Sequence, residues 1–259
     1  MSRNKRKEEG QEKAAKKKFG IFAKAIAAFV LVIFAAVIAA FLRQNHAQEP
    51  KLTIHRFEET QMTEFWAKRL QPVAQQLNER TFPLKEINER YDFLSVKIKS
   101  RYNTGLGADV VLGYHPVHPY ILAESCLVGG KTCLRIYVAA YCNLYKIWEE
   151  NGVAQRDEII RNSLAVSVLH EMDHLAGGWV REKASDKPYT IDDAVESEKR
   201  AWAETCQHTL RVMAEYRYKV LGSDWEMYRH WEECGRDAES PAWDSCIRAI
   251  YAPVHNRFK

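Results

Sequence analysis

Residues Ala25 to Leu42 form an unbroken run of eighteen apolar residues, and that run limits every other reading of the chain. At about 1.5 Å per helical residue it is close to the length needed to cross a bilayer core of roughly 30 Å. A core helix of this composition needs protein on every side, yet only a polar tail precedes it. A cleaved signal peptide has a shorter apolar region, about 7 to 15 residues, ending in small residues. Here the run continues into Arg43-Gln44-Asn45-His46. The expectation is an uncleaved transmembrane helix over 19–42. The tail, 1–18, holds eight basic residues against three glutamates, and only Arg43 and Lys51 follow soon after the span. That bias keeps the tail in the cytoplasm and sends everything after residue 42 to the periplasmic or extracellular side.

The net charge of +4 resides in that tail, and the remainder is about neutral, which argues against a nucleic-acid partner. With 46% hydrophobic residues the chain has the material for a core. All six cysteines follow the span, on the side where disulfides persist. No C-x-x-C pair supports a cysteine-only metal site. Cys234 and Cys246 flank the turn-rich segment 235–245 and are the best placed for a bridge; the alternative is free thiols packed as small apolar residues.

In 43–80, Phe57, Met62, Phe65, Trp66, Leu70, Val73 and Leu77 recur at helical spacing, with Pro72 as a kink or break. This segment is expected to be a helical stalk or packing helix, leaving 81–259 as the main domain. Short β-prone runs with Gly and Pro between 81 and 122, and the β-branched and aromatic run 131–145, point to a small sheet. His115 and His118 lie in a proline-bearing loop and are expected to be exposed turn residues rather than ligands. From Glu158 onward the pattern is mostly helical. A sheet first and helices after is α+β.

Within the helical part stands Ser167-Val168-Leu169-His170-Glu171-Met172-Asp173-His174-Leu175-Ala176-Gly177-Gly178. Asn162 or Ser163 can cap its start and the Gly pair can end it. On one helix, His170 and His174 share a face and can offer imidazoles to one ion, while Glu171 sits beside them without having to ligate. Such an arrangement suits metal-assisted hydrolysis, in which a carboxylate takes a proton from water and later delivers it to a leaving amine. A catalytic zinc (Zn2+) usually has three protein ligands, so a third is required. On the helix expected over 190–220, Ile191, Val195, Trp202, Thr209, Met213, Tyr216 and Val220 fall within about 60° of Glu198. Glu198 therefore lies in an apolar stripe, whereas Glu196 and Glu204 point toward solvent. A carboxylate there is costly unless paired or metal-bound. Tyr216, Tyr228, His208 and His230 are the candidate hydrogen-bond donors to the reacting group.

His170-Glu171-x-x-His174 followed by Glu198 resembles the gluzincin metallopeptidases, the group that includes thermolysin, and Glu198-Lys199-Arg200-Ala201 is similar to the E-x-x-A pattern of compact bacterial members. The resemblance, over roughly 130–215, implies a zincin-like domain with His170, His174 and Glu198 as zinc ligands and Glu171 as general base. It also implies that the strand from Leu134 to Ala140 lines the cleft and holds an extended peptide or protein substrate. Trp202 stands where such enzymes often have an acidic residue, so the outer partner of the first histidine is unassigned. A second resemblance is to peptide deformylases: Leu169 to Gly178 is similar to H-E-x-D-H-L-x-G, and Glu124-Ser125-Cys126-Leu127-Val128 to E-G-C-L-S, which would make Cys126 the third ligand. Val110 stands where that family's catalytic glutamine belongs. A third alternative is a membrane-anchored binding protein with a structural metal site, which would have no use for Glu171.

Overall fold

In a computed structural model of the chain, residues 53–102, 107–116, 118–180 and 190–256 are described. The span expected over 19–42 lies outside them; among the described residues no helix is long and apolar enough to cross a membrane. Residues from Ile54 onward form one unit, a mixed α+β arrangement dominated by helices.

The first helix, α1, runs from Glu59–Phe65 through a wide π turn at Trp66–Leu70 into Gln71–Glu79. Pro72 does not break it. The π turn just before the proline rearranges the backbone bonding, with Gln71 N–H reaching back to Trp66 O. Phe65, Leu70, Val73 and Leu77 are buried in the common core.

Helix α2, Lys85–Tyr102, includes a stretch that reads as β-prone in sequence. Its buried residues, Ile87, Tyr91, Leu94 and Ile98, recur at steps of four, three and four, and packing at that period overrides the β preference of isoleucine and tyrosine. The sheet has three strands: β1 (Ala108–Val111), β2 (Ala123–Val128) and β3 (Lys131–Tyr137). Their order is β1-β3-β2, with β1 parallel and β2 antiparallel to β3. Gly129 and Gly130, both at positive φ (56° and 72°), make the tight β2–β3 turn, a backbone that glycine adopts without strain. The β-like pattern stops at Tyr137, because Val138–Glu150 is helix α3 and its first residues are buried on all sides.

Helix α4, Arg156–Gly177, crosses the centre and is buried along nearly its whole length. It starts six residues before the expected cap at Asn162. That residue is buried within the helix, and its side chain donates to Lys219 O at 2.8 Å. The glycine pair does end the helix: Gly178 adopts φ 71°, and a Cβ there would lie 2.0 Å from the Arg101 guanidinium. Helix α5 comprises Ile191–Thr205, a π turn at Cys206–Leu210, and Arg211–Glu215. Thr190 caps it, accepting from Asp193 N–H at 3.1 Å. Helices α6 (Gly222–Glu233) and α7 (Pro241–Asn256) close the unit. Trp231 and Trp243 meet edge to face at 5.1 Å, and Trp243 Nε1 donates to Lys199 O at 3.0 Å, tying α7 to α5.

All six cysteines are free. The bridge expected between Cys234 and Cys246 is not formed; both pack against the core as small apolar side chains.

Asp224, in the first turn of α6, is buried, and burial pushes its carboxyl up to about 7 despite a backbone hydrogen bond from Leu221. Between the ordinary value of 3.8 and about 7 the folded chain keeps a proton that the unfolded chain has lost. Stability contributed by Asp224 is therefore complete below the lower value and disappears as pH rises through the upper one. Asp224→Asn should raise stability at pH 8 by at most about 4 kcal/mol and change little at pH 3, as denaturant unfolding at the two pH values would measure.

Candidate metal centre

The centre of α4 supplies two imidazoles. His170 and His174, both buried, are one turn apart, and their Nε2 atoms face each other at 3.2 Å. Helix α5 packs across α4 and brings Glu198 to the same point. Glu198 Oε2 lies 3.4 Å from His170 Nε2 and Oε1 lies 3.5 Å from His174 Nε2. Among the described residues these three form a group able to hold a metal ion, with one ligand atom from each inside a 4.8 Å span.

The outer nitrogens fix which way the imidazoles are protonated. Thr205 Oγ1 lies 3.1 Å from His170 Nδ1 and turns its own proton to Ala201 O at 2.8 Å or to Asp173 Oδ2 at 3.3 Å. Ser197 Oγ lies 2.9 Å from His174 Nδ1 and gives its proton to Trp179 O at 3.3 Å. Each hydroxyl has one proton, so each must accept from the histidine, and the neutral ring then turns an Nε2 lone pair toward the centre. Thr205 is the partner of the first histidine that sequence reasoning left unassigned. Behind it stands Asp173, whose Oδ2 is 3.3 Å from Thr205 Oγ1 and whose Oδ1 is bound by Arg90. Arg90 also reaches Glu204 at 3.1 Å.

Electrostatics agree with this convergence. Burial pushes the Glu198 carboxyl up, but His174 and His170 more than offset it and hold the group well below the usual carboxylate range. Burial pulls His174 down, yet Glu198 beside it lifts the imidazole to about 9. A cation binding here would displace the His174 proton. Glu198 Oε2 is buried without a hydrogen-bond donor, an expensive state for a carboxylate oxygen that a cation would relieve.

Glu171 sits beside the group. Burial raises its pKa, while His174, His170 and the nearby Ser125 hydroxyl on β2 work against that. Strand β3, implied to line the cleft, is the central strand with both edges paired, and 138–140 are helix. The strand beside Glu171 is β2. Because neighbouring strand residues point to opposite faces, Ser125 facing Glu171 turns Cys126 the other way, toward its cross-strand partner Cys133. Cys126 is not in the ligand group.

The four donors named from sequence lie elsewhere. Tyr216 bonds Glu86, Tyr228 bonds Glu232, His230 pairs with Glu233 and His208 with Glu204. Tyr251 of α7 reaches the site instead: it receives the Trp202 Nε1 proton at 2.5 Å, and burial and the nearby Glu198 carboxylate raise its phenol pKa. His115 and His118 are half-buried rather than exposed. His115 Nδ1 accepts from His118 N–H at 3.0 Å and its Nε2 lies 3.5 Å from Glu124. Glu196 is on the solvent side, beside Lys199 and Arg200.

Thr205, seven residues after Glu198 on the same face of α5, carries a local signal; Ser197, one residue before it, lies about 100° around the helix. Arg90 and Tyr251 carry none, being far from the motif in sequence. Comparison with protein-family models, with curated proteins and with solved structures returns no match for this chain.

Proposed function

We propose that the chain is a membrane-anchored zinc-dependent peptidase of gluzincin type, with a zincin-like domain on the external side and Glu171 as general base. The observation that carries this reading is the convergence of His170, His174 and Glu198 with Glu171 beside them. Donors about 2.0–2.1 Å from a tetrahedral zinc are about 3.3–3.4 Å apart; here the two Nε2 atoms are 3.2 Å apart, and each has one of the two Glu198 oxygens at 3.4 or 3.5 Å. Three protein ligands leave one position for substrate or water, as in catalytic rather than structural sites.

Bound zinc supplies Lewis-acid polarisation of the scissile carbonyl and of the attacking water. The remaining work falls to the chain itself. Glu171 takes the proton from water, and burial, by raising its pKa, makes it a stronger base for this. It then gives that proton to the departing amine. Ser125 beside it favours the ionised carboxylate that acts as base. Thr205, Asp173 and Arg90 hold His170, and Ser197 holds His174, so the ligands need little rearrangement on binding. A binding protein with a structural site would need no base at the position of Glu171.

The membrane anchor and outward orientation rest on the apolar run and on the basic tail before it. The test is hydrolysis of a fluorogenic peptide mixture by the full-length chain in detergent. Activity is expected to vanish with a zinc chelator and to return with added zinc; hydrolysis indifferent to the chelator would refute the proposal.

A further inference from the structure

We infer that Trp202 and Tyr251 form a clamp that sets how tightly the site holds its ion, so that the C-terminal helix α7 belongs to the metal centre. The inference rests on the metal-site reading above and adds a positioning device to it. Trp202 lies one turn after Glu198 on α5. Its ring stacks on His170 with centroids 4.2 Å apart and planes 35° apart, and its Nε1 lies 2.5 Å from Tyr251 Oη. Tyr251 lies beside the Glu198 carboxylate, and burial together with that charge keeps the phenol protonated.

Donor and acceptor chemistry fixes the direction of this chain of bonds. An indole N–H can only donate, so the phenol oxygen accepts from it. The phenol has one proton of its own, and an ionised carboxylate can only accept, so that proton is available to Glu198. The result is a relay from indole to phenol to ligand, with the indole face pressed on a second ligand. It restrains Glu198, which would otherwise rotate about its terminal bond, with its oxygens beside the two imidazoles. Glu198 Oε2 has no hydrogen-bond donor of its own. Ser197 and Thr205 hold the histidines from α5 itself; Glu198 is held from α7, more than fifty positions later in the chain.

A group that orients a ligand acts on metal affinity, whereas one that only packs acts on the metal-free fold as well. Loss of such an outer partner typically weakens metal binding about 10–100-fold. The experiment measures zinc affinity of the full-length chain by competition with a chromophoric chelator, alongside melting of the metal-free protein. Tyr251→Phe keeps the ring and removes the hydroxyl. It should bind zinc about 10–100-fold more weakly, with metal-free melting close to wild type and an altered visible spectrum when cobalt(II) replaces zinc. Trp202→Phe keeps a ring against His170 but loses the N–H; it should shift affinity in the same direction, and the double variant should add little to Tyr251→Phe because both act through one relay. Zinc affinity unchanged in Tyr251→Phe would overturn the inference. So would a loss of affinity matched by an equal loss of metal-free stability, or single-variant effects that add in full. Wild type that binds no zinc would instead remove the metal-site reading, and the clamp with it.

Discussion

Replacing Glu171 with glutamine should leave zinc content intact and lower peptide hydrolysis by at least about 10²-fold. Glutamine matches glutamate in size, and its amide can bond to Ser125, which lies beside Glu171 in the native protein. What it cannot do is take a proton. Neither His170 nor His174 can substitute, since their outer nitrogens face Thr205 and Ser197 and their inner ones face each other. Because burial raises the Glu171 pKa, wild-type activity should also fall as pH drops through that raised value, where the base becomes protonated. Glu171→Gln should show a low rate at every pH. The check is kcat/KM against pH with metal content measured on the same samples, and a fully active Glu171→Gln protein would contradict the assigned base.

The three residues that converge at the candidate metal centre were legible in sequence because they lie where helical periodicity is regular. His170 and His174 are one turn apart on an uninterrupted helix, and Glu198 sits in the stretch of α5 before its π turn. Beyond that turn the count still places Met213 and Val220 in the core, and misplaces Tyr216, where the helix ends at Glu215. Tyr216, counted into the apolar stripe, is 53% exposed just past the helix end. The sheet was legible as a small sheet but not in its order. Nothing local tells that β3 pairs on both edges, and the isoleucines of α2 favour strand until packing chooses helix. The supports of the site were hidden for a different reason. Arg90 meets Asp173 across 83 positions of sequence, and Tyr251 meets Trp202 across 49. Such contacts follow from how helices pack, and no spacing rule announces them.

Zinc content of the purified full-length chain and of two single variants decides which residues hold the ion. Glu198→Ala leaves only two imidazoles on one helix, and the loss of a direct ligand should exceed the roughly 10–100-fold penalty for losing an outer partner. Zinc and hydrolysis should therefore disappear together. Excess zinc should raise the melting temperature of wild type and not of Glu198→Ala, since only a folded site with its full ligand set couples binding to stability. Glu196→Ala, on the solvent side of the same helix, should change neither. Cys126→Ala should keep its zinc, because Cys126 faces Cys133 across the sheet rather than the histidines. The expected result is one zinc per chain in wild type and in Cys126→Ala, and almost none in Glu198→Ala. Zinc retained by Glu198→Ala and lost by Cys126→Ala would give the third position to the thiol and contradict the site described here.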